Sequence, residues 1–172
     1  MNRNPEGVEH RLRAFWEACK AGPRPGLSPE AVAAIESQLS CVLPPIVESL
    51  YRIADGIDES GEGGDLFTVW PLREWRGVID VAAEWRGSPD YGPLATGLPD
   101  AGDYFTFADC MLHSELFAVR VRPAGTPTQV IWLCGSHYAV VAPTFEQFWE
   151  RYLVDRDSVL HPPDELVRRA AG

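Results

Sequence analysis

The part of the sequence that most constrains the fold runs from residue 103 to residue 142, where apolar and polar residues alternate along four short segments. Alternation with a period of two predicts β-strands, because successive side chains of a strand point to opposite faces. The segments are joined by short links, some with Gly or Pro, which favours antiparallel neighbours. We therefore predict an antiparallel meander formed by DYFTF, LFAVRVR, TQVIWLC and YAVVA.

Helical patterns flank the predicted meander on both sides. The clearest start signals are Ser28 followed by Pro29, and Thr144 with Gln147 three residues on, the spacing of a capping box. Gly56 follows the predicted helix at residues 45–54, and we expect it to end that helix with a positive φ. Helices that precede and follow a run of strands predict an α+β fold. The predicted helices cover residues 6–20, 28–39, 45–54, 72–86, 144–153 and 162–167.

Size, composition and charge restrict the class of protein. The chain has 172 residues, of which 45% are hydrophobic, which suits one domain with one substantial core. The sequence shows neither a signal peptide nor a run of about 18 apolar residues, so we expect a cytoplasmic protein without membrane insertion. Lys and Arg number 15 against 25 Asp and Glu, a net charge of −10. This charge repels nucleic acid and attracts a basic protein partner.

A second feature is the acidic run DGIDESGEGGD at residues 55–65. Such a run is typical of a solvated loop, and its acids do not follow the alternating pattern of an EF-hand calcium loop. We predict that it contacts a basic partner, together with the Trp-Arg pair that ends the fourth predicted helix, because both residue types are enriched at interfaces. The predicted partner-binding residues are Asp55, Asp58, Glu59, Glu62, Asp65, Trp85 and Arg86.

Two Cys-x-x-His pairs, Cys110 with His113 and Cys134 with His137, raise the alternatives of a zinc site or a Cys/His enzyme. Two Cys and two His are a suitable donor set for tetrahedral zinc. In a strand, however, residues three apart point to opposite faces, so the pairs could meet only at strand ends. A nucleophilic cysteine also needs an orienting group and an oxyanion loop, which the sequence does not identify. We therefore predict no catalytic residue, no metal ligand and no cofactor.

The order of these segments resembles that of the SUKH superfamily, which includes bacterial toxin-immunity proteins and the yeast cell-wall-synthesis regulator. The resemblance covers about residues 27–153 and rests on order and spacing, because each short motif is common alone. Cys110 departs from it, since an aromatic residue is frequent at that position in the family. The matching segments are AVAAIESQLSCVLPPIVESLYRIADGI, the strand with Trp70 and the LREW that follows it, FTFADCMLHSELFAVRV, VIWL and APTFEQFWERYL.

The resemblance implies a single α+β domain in which helices are followed by a bent, mainly antiparallel sheet, with a closing C-terminal helix packed on it. It places this domain at 27–155, with 1–26 as an N-terminal helix and linker of the same domain and 156–172 as a tail with a short helix. It also implies a non-catalytic binding protein, an immunity protein that neutralises a polymorphic toxin such as a nuclease by direct contact. The alternative is a regulatory scaffold in cell-wall synthesis or signalling.

Overall fold

The computed structural model describes residues 7–57, 66–85 and 87–170. In these residues nine strands form one antiparallel sheet. They are β1 (Pro23–Pro25), β2 (Ala54–Ile57), β3 (Thr68–Val69), β4 (Arg76–Gly77), β5 (Tyr104–Cys110), β6 (Glu115–Arg120), β7 (Val130–Cys134), β8 (His137–Ala142) and β9 (Arg168–Arg169). The order is β1-β2-β3-β5-β6-β7-β8-β9, and β4 pairs with β5 on the same side as β3. The predicted meander is confirmed as β5 to β8.

Helices surround the sheet, and two of the predicted start signals are confirmed. Ser28 accepts a hydrogen bond from the Ala31 amide, and Thr144 accepts one from the Gln147 amide, each at 3.2 Å. Both hydroxyls thereby satisfy an amide that the first helical turn leaves unpaired. The helices are α1 (Val8–Ala18), α2 (Pro29–Leu39), α3 (Pro45–Ile53), α4 (Val78–Glu84), α5 (Leu94–Gly97), α6 (Phe145–Val154) and α7 (Asp157–Leu160). The predicted α+β class is confirmed.

The sheet is covered on both faces, and every residue of β5 is buried. On one face lies an aromatic core in which α6 packs on β5, with ring centroids of Phe107 and Phe145 separated by 5.2 Å. Helix α1 joins the same core through Trp16, whose ring lies 5.6 Å from that of Trp149. The other face carries a smaller core around Tyr91, to which α4 and α5 contribute. Among the described residues, no helix is both long and apolar enough to cross a lipid bilayer.

The helix predicted over residues 72–86 is wrong in its first half. Residues Leu72–Glu74 form a single 3₁₀ turn, and Arg76 and Gly77 then pair with β5 as strand β4. The Thr106 hydroxyl donates to the Arg76 carbonyl at 2.8 Å, which fixes this extended backbone. Sheet pairing therefore overrides the helical spacing of the apolar residues, and α4 begins only at Val78.

The helix predicted at the C-terminal end is also shorter than expected. Residues Asp164–Leu166 form one 3₁₀ turn, and the chain then enters β9 beside β8. Gly56 has the predicted positive φ, +80°, but it lies inside β2 and does not end α3. Helix α3 ends at Ile53, and its last turn leads directly into the strand.

Candidate protein-binding surface

The turn between β5 and β6, residues 111–114, has an unusual backbone. Met111, Leu112 and His113 are consecutive and have φ values of +55°, +55° and +65°. This left-handed region is unfavourable for side chains other than Gly, Asn and Asp, by about 1–2 kcal/mol per residue. The turn closes with a hydrogen bond from the Ser114 amide to the Met111 carbonyl, 3.2 Å long. We refer to residues 111–114 as the β5–β6 turn.

A buried carboxylate at the end of β5 holds this turn in place. Asp109 is only 4% exposed, and its Oδ1 accepts a hydrogen bond from the His113 amide at 3.1 Å. Its Oδ2 accepts from the Trp70 indole and lies 3.3 Å from Nδ1 of His113. These contacts compensate for burying the carboxyl group and hold both the backbone and the side chain of His113 in the turn.

Two further groups tie the β5–β6 turn to the body of the domain. The hydroxyl of Tyr91, itself buried, lies 3.1 Å from the His113 carbonyl and 3.0 Å from the Ser114 carbonyl, within hydrogen-bond distance of both. On the other side, the Met111 amide donates to the Leu66 carbonyl at 3.2 Å. The turn is therefore anchored from β5, from the segment before α5 and from the segment before β3.

An aromatic cluster lines the base of the turn. The His113 imidazole makes edge contacts with the rings of Trp70 and Trp85, at centroid distances of 5.9 Å and 6.0 Å. Trp85 also packs edge-on against Tyr91 at 5.6 Å. The side chain of His113 is half exposed, so the rim of the cluster is accessible to solvent. Partly exposed aromatic side chains of this kind are common at protein interfaces.

Met111 and Leu112 project from this base into solvent. Met111 is 50% exposed and Leu112 is 68% exposed. They are adjacent in a turn whose backbone is fixed by hydrogen bonds on three sides. The surface thus presents two apolar side chains in a defined arrangement, which is the form that an anchor residue takes in a protein interface.

The structure assigns different positions to the residues predicted to bind a partner. Trp85 lies in the aromatic cluster under the β5–β6 turn, next to His113. Asp55 lies in β2, is 7% exposed and accepts a hydrogen bond from the Leu72 amide at 2.8 Å. Burial raises the pKa of Asp55, and the hydrogen bond from Leu72 partly opposes this. Asp58, Glu59, Glu62, Asp65 and Arg86 lie outside the described residues.

One of the two described residues next to positions 58–65, Leu66, contacts the β5–β6 turn. Ile57, within the run, pairs with Val69 in the sheet, and Leu66, which follows the run, accepts the hydrogen bond from Met111 at its carbonyl. The residue covalently attached to Leu66 is Asp65, the last acid of the run. The structure therefore brings Trp85 and Leu66 to one turn, although they are distant in sequence.

The two Cys-x-x-His pairs have separate surroundings. Cys110 is buried in the aromatic core, whereas His113 faces Asp109 and the two tryptophans. Cys134 and His137 lie opposite each other across β7 and β8, and burial raises the pKa of the Cys134 thiol. Within the described part of the chain, no three His, Cys, Asp or Glu side chains are grouped so that they could hold a metal ion.

A separate, concave surface lies at the opposite end of β5 and β6. It is a groove of about 480 Å³ between the start of α3 and the loop that joins β6 to β7. Val42, which is 69% exposed, stands on its edge. The residues that line this groove carry no charge, so the groove lacks groups that would select a basic partner. They are Val42, Leu43, Pro44, Pro45, Ile46, Val121, Ala124, Gly125, Thr126, Pro127, Thr128 and Thr144.

The sequence pattern did not identify Met111, Leu112 or Asp109 as surface-forming residues, and it allowed His113 to be a metal ligand, a base or a turn residue. One signal was present. Gly, Pro, Asn, Asp and Ser dominate tight connections between strands, and the letters MLHS contain only Ser, at the last position. The left-handed backbone of this turn, and the tertiary contacts that hold it, are not visible in a sequence pattern.

Comparison with known families gives one match. The model of the SMI1 / KNR4 family (SUKH-1) matches residues 26–151, which is most of the chain. This match confirms the resemblance inferred from the order of the segments. Comparison with curated proteins found no match to this chain.

Proposed function

Because the chain belongs to the SMI1 / KNR4 family (SUKH-1), we propose that it is a non-catalytic binding protein of the immunity type. In this proposal it acts in the cytoplasm and neutralises a cognate toxin, for example a nuclease, by direct contact. Inhibition is by occlusion: the bound chain covers the toxin's active site and prevents access of the substrate. No residue of the chain takes part in a chemical step.

The observation that carries the proposal is the exposed and rigidly held β5–β6 turn. Two apolar side chains, Met111 and Leu112, are accessible on a backbone fixed by Asp109 and Tyr91. An interface gains most of its affinity from a few apolar or aromatic anchors, and the gain is larger when the anchors are ordered before binding. The aromatic cluster beneath the turn extends this surface.

Charge supports a basic partner. The chain carries a net charge of −10, and the acidic run rejoins the described chain at Leu66, beside the turn. In the proposal Asp58, Glu59, Glu62 and Asp65 attract a cationic toxin domain, and Trp85 and Arg86 contribute to the contact. Asp55 is buried, so its part is to support the strand from which the run departs. Electrostatic attraction would mainly increase the rate of association.

The proposal is tested by co-expression with candidate toxins. The chain is co-expressed with each toxin domain encoded near its own gene, and growth is compared with that of cells expressing the toxin domain alone. We expect one toxin domain to be tolerated only in the presence of the chain, and the two purified proteins to form a complex. Growth arrest in every pairing would contradict the proposal. Co-purification with cell-wall-synthesis enzymes instead would favour the regulatory scaffold.

The electrostatic part is tested on the purified complex. Raising the salt from about 50 to about 500 mM shortens the Debye length severalfold, so the association rate should fall by roughly tenfold while dissociation changes little. An association rate that does not change over this range would remove steering from the mechanism and leave direct contact in place.

A further inference from the structure

We propose that the β5–β6 turn is the apolar anchor of the interface, and that Leu112, assisted by Met111, inserts into an apolar pocket on a cationic protein domain. Asp109 is a positioning residue that sets the left-handed backbone from which both side chains project. This inference rests on the proposed function, because it takes the neutralised toxin domain as the partner.

Packing of the domain gives no reason for apolar side chains at positions 111 and 112. Three consecutive residues adopt positive φ values, where Gly or Asn would be accommodated at lower cost. Met111 and Leu112 are also largely outside the core, so they contribute little apolar burial to offset that cost. Met111 and Leu112 therefore add backbone strain to the turn and remain in water. Their presence is explained if a second protein buries them.

The β5–β6 turn is ordered before any partner binds. Asp109 contacts the amide and the imidazole of His113, and Tyr91 lies within hydrogen-bond distance of the next two carbonyls. A partner that binds this turn therefore does not have to order it. Ordering a loop and its side chains is a major cost of association, and a turn that is already fixed avoids it.

The charge of the chain and the apolar character of the turn together indicate the chemistry of the partner. A membrane surface is an unsuitable partner because biological membranes are commonly anionic and the chain has a net charge of −10. A second copy of the chain carries the same charge and is repelled. A cationic domain with an apolar pocket matches both the charge of the whole chain and the apolar character of the turn.

The decisive variants are Leu112→Asn and Val42→Asn. Asn tolerates the left-handed conformation, so Leu112→Asn keeps the turn and removes the anchor. Val42 is a matched control because it is as exposed as Leu112, at 69% against 68%. It lies at the opposite end of β5 and β6, on the edge of the groove beside α3. The probe is the purified toxin domain against which the chain protects in co-expression, and the readout is the Kd by titration calorimetry.

We expect Leu112→Asn to weaken binding by about 10- to 100-fold, the amount that burial of one leucine side chain provides. Val42→Asn should leave the Kd within about twofold, and Leu112→Asn should unfold at the same or a higher temperature than the unaltered chain. If Leu112→Asn binds within about twofold of the unaltered chain, the anchor is overturned while toxin neutralisation stands. If Val42→Asn alone weakens binding, the groove beside α3 is the interface and the anchor is again overturned.

A double-mutant cycle separates positioning from general support of the fold. Asp109→Ala should weaken binding in the unaltered chain but add little once Leu112 is already Asn, because the turn then has no anchor to position. Asp109→Asn keeps an acceptor for the His113 amide and should restore most of the affinity. Equal losses from Asp109→Ala in both backgrounds would show that Asp109 does not act through Leu112.

If the chain protects against no toxin, the proposed function is refuted. A photo-crosslinking side chain then tests the anchor by itself. The photoreactive residue benzoylphenylalanine is placed at position 112 or, as control, at position 42 in the full chain expressed in its native cell. A cationic protein crosslinked at position 112 within an apolar pocket, and absent from the control, supports the anchor. The same products at both positions, or none at position 112, overturn it.

Discussion

Strand β2 closely approaches the last residue of β3 and the residue after it. This contact gives the most direct test of the packing described above. Gly56 has a φ of +80°, and a Cβ built on it would lie 2.3 Å from the Val69 carbonyl oxygen and 2.9 Å from the carbonyl carbon of Trp70. Both contacts are with backbone atoms, which cannot turn aside as a flexible side chain can. Gly56→Ala must therefore separate the two backbones or distort β2.

The cost of this substitution has two parts. An alanine with positive φ is strained by about 1–2 kcal/mol, of which roughly 0.5–1 kcal/mol is recovered because alanine restricts the unfolded chain. The overlap with backbone atoms adds about 1–3 kcal/mol, as in overpacked cores. We therefore expect Gly56→Ala to lower the free energy of unfolding by about 3 kcal/mol.

Gly125→Ala is the matched control. Gly125 has nearly the same φ, +85°, but no atom lies within 4 Å of the position that its Cβ would take. It should show the strain without the overlap and lose about 1 kcal/mol. Urea unfolding followed by tryptophan fluorescence measures both variants against the unaltered chain. Losses that agree within about 0.5 kcal/mol would refute the close approach at Gly56, since only the overlap distinguishes the two sites.

Three further predictions follow from burial. Because burial raises the pKa of Asp55, its proton is held more tightly in the folded state, so the unaltered chain should lose stability relative to Asp55→Asn as pH rises from about 4 towards 7. Parallel stability–pH curves for the two proteins would contradict this. Burial also raises the pKa of the Cys41 and Cys134 thiols, so both should react with iodoacetamide at pH 7 more slowly than a free peptide thiol, as measured by mass spectrometry. Faster reaction at either site would argue for an activated thiol. Trp16 is buried against Trp149, so Trp16→Ala should lower the free energy of unfolding by about 3–5 kcal/mol in a single transition, and a small separate first transition would indicate that α1 folds apart from the domain.

Patterns that act over a few residues were sufficient to predict much of the fold. The alternation in β5 to β8 identified four strands, and the hydroxyls of Ser28 and Thr144 identified two helix starts. These signals succeed because a strand's two faces and a helix's first turn impose local requirements on the sequence. The α+β class follows from their order along the chain.

Features that depend on distant partners were not predictable in the same way. The apolar spacing after Leu72 is compatible with a helix, and only pairing with β5 makes Arg76 and Gly77 extended. Likewise, the positive φ of Gly56 was anticipated, but its cause is the neighbouring backbone at Val69, not a helix end. In both places a tertiary contact decided between conformations that the local sequence permits.

The two buried carboxylates connect the fold to the proposed interface. Asp55 and Asp109 are the buried acids of the described residues, and each accepts a hydrogen bond from a backbone amide of a neighbouring turn. Asp55 fixes the turn at Leu72 inside the fold, where the bonded backbone is itself covered. Asp109 fixes a turn that carries exposed apolar side chains.

The difference between the two turns matters because burying a carboxyl group costs free energy unless its hydrogen bonds compensate for the loss of water. The hydrogen bond to Asp55 stabilises a packed connection between β2 and the start of β4. Asp109 holds the Trp70 indole and a strained turn, and Met111 and Leu112 of that turn are left in water. Departures from the usual local sequence preferences are expected at functional sites. Here a turn that lacks the usual left-handed residues lies next to a buried carboxylate. In the proposed function, burial of the turn by another protein offsets the strain of the turn and the exposure of its apolar side chains.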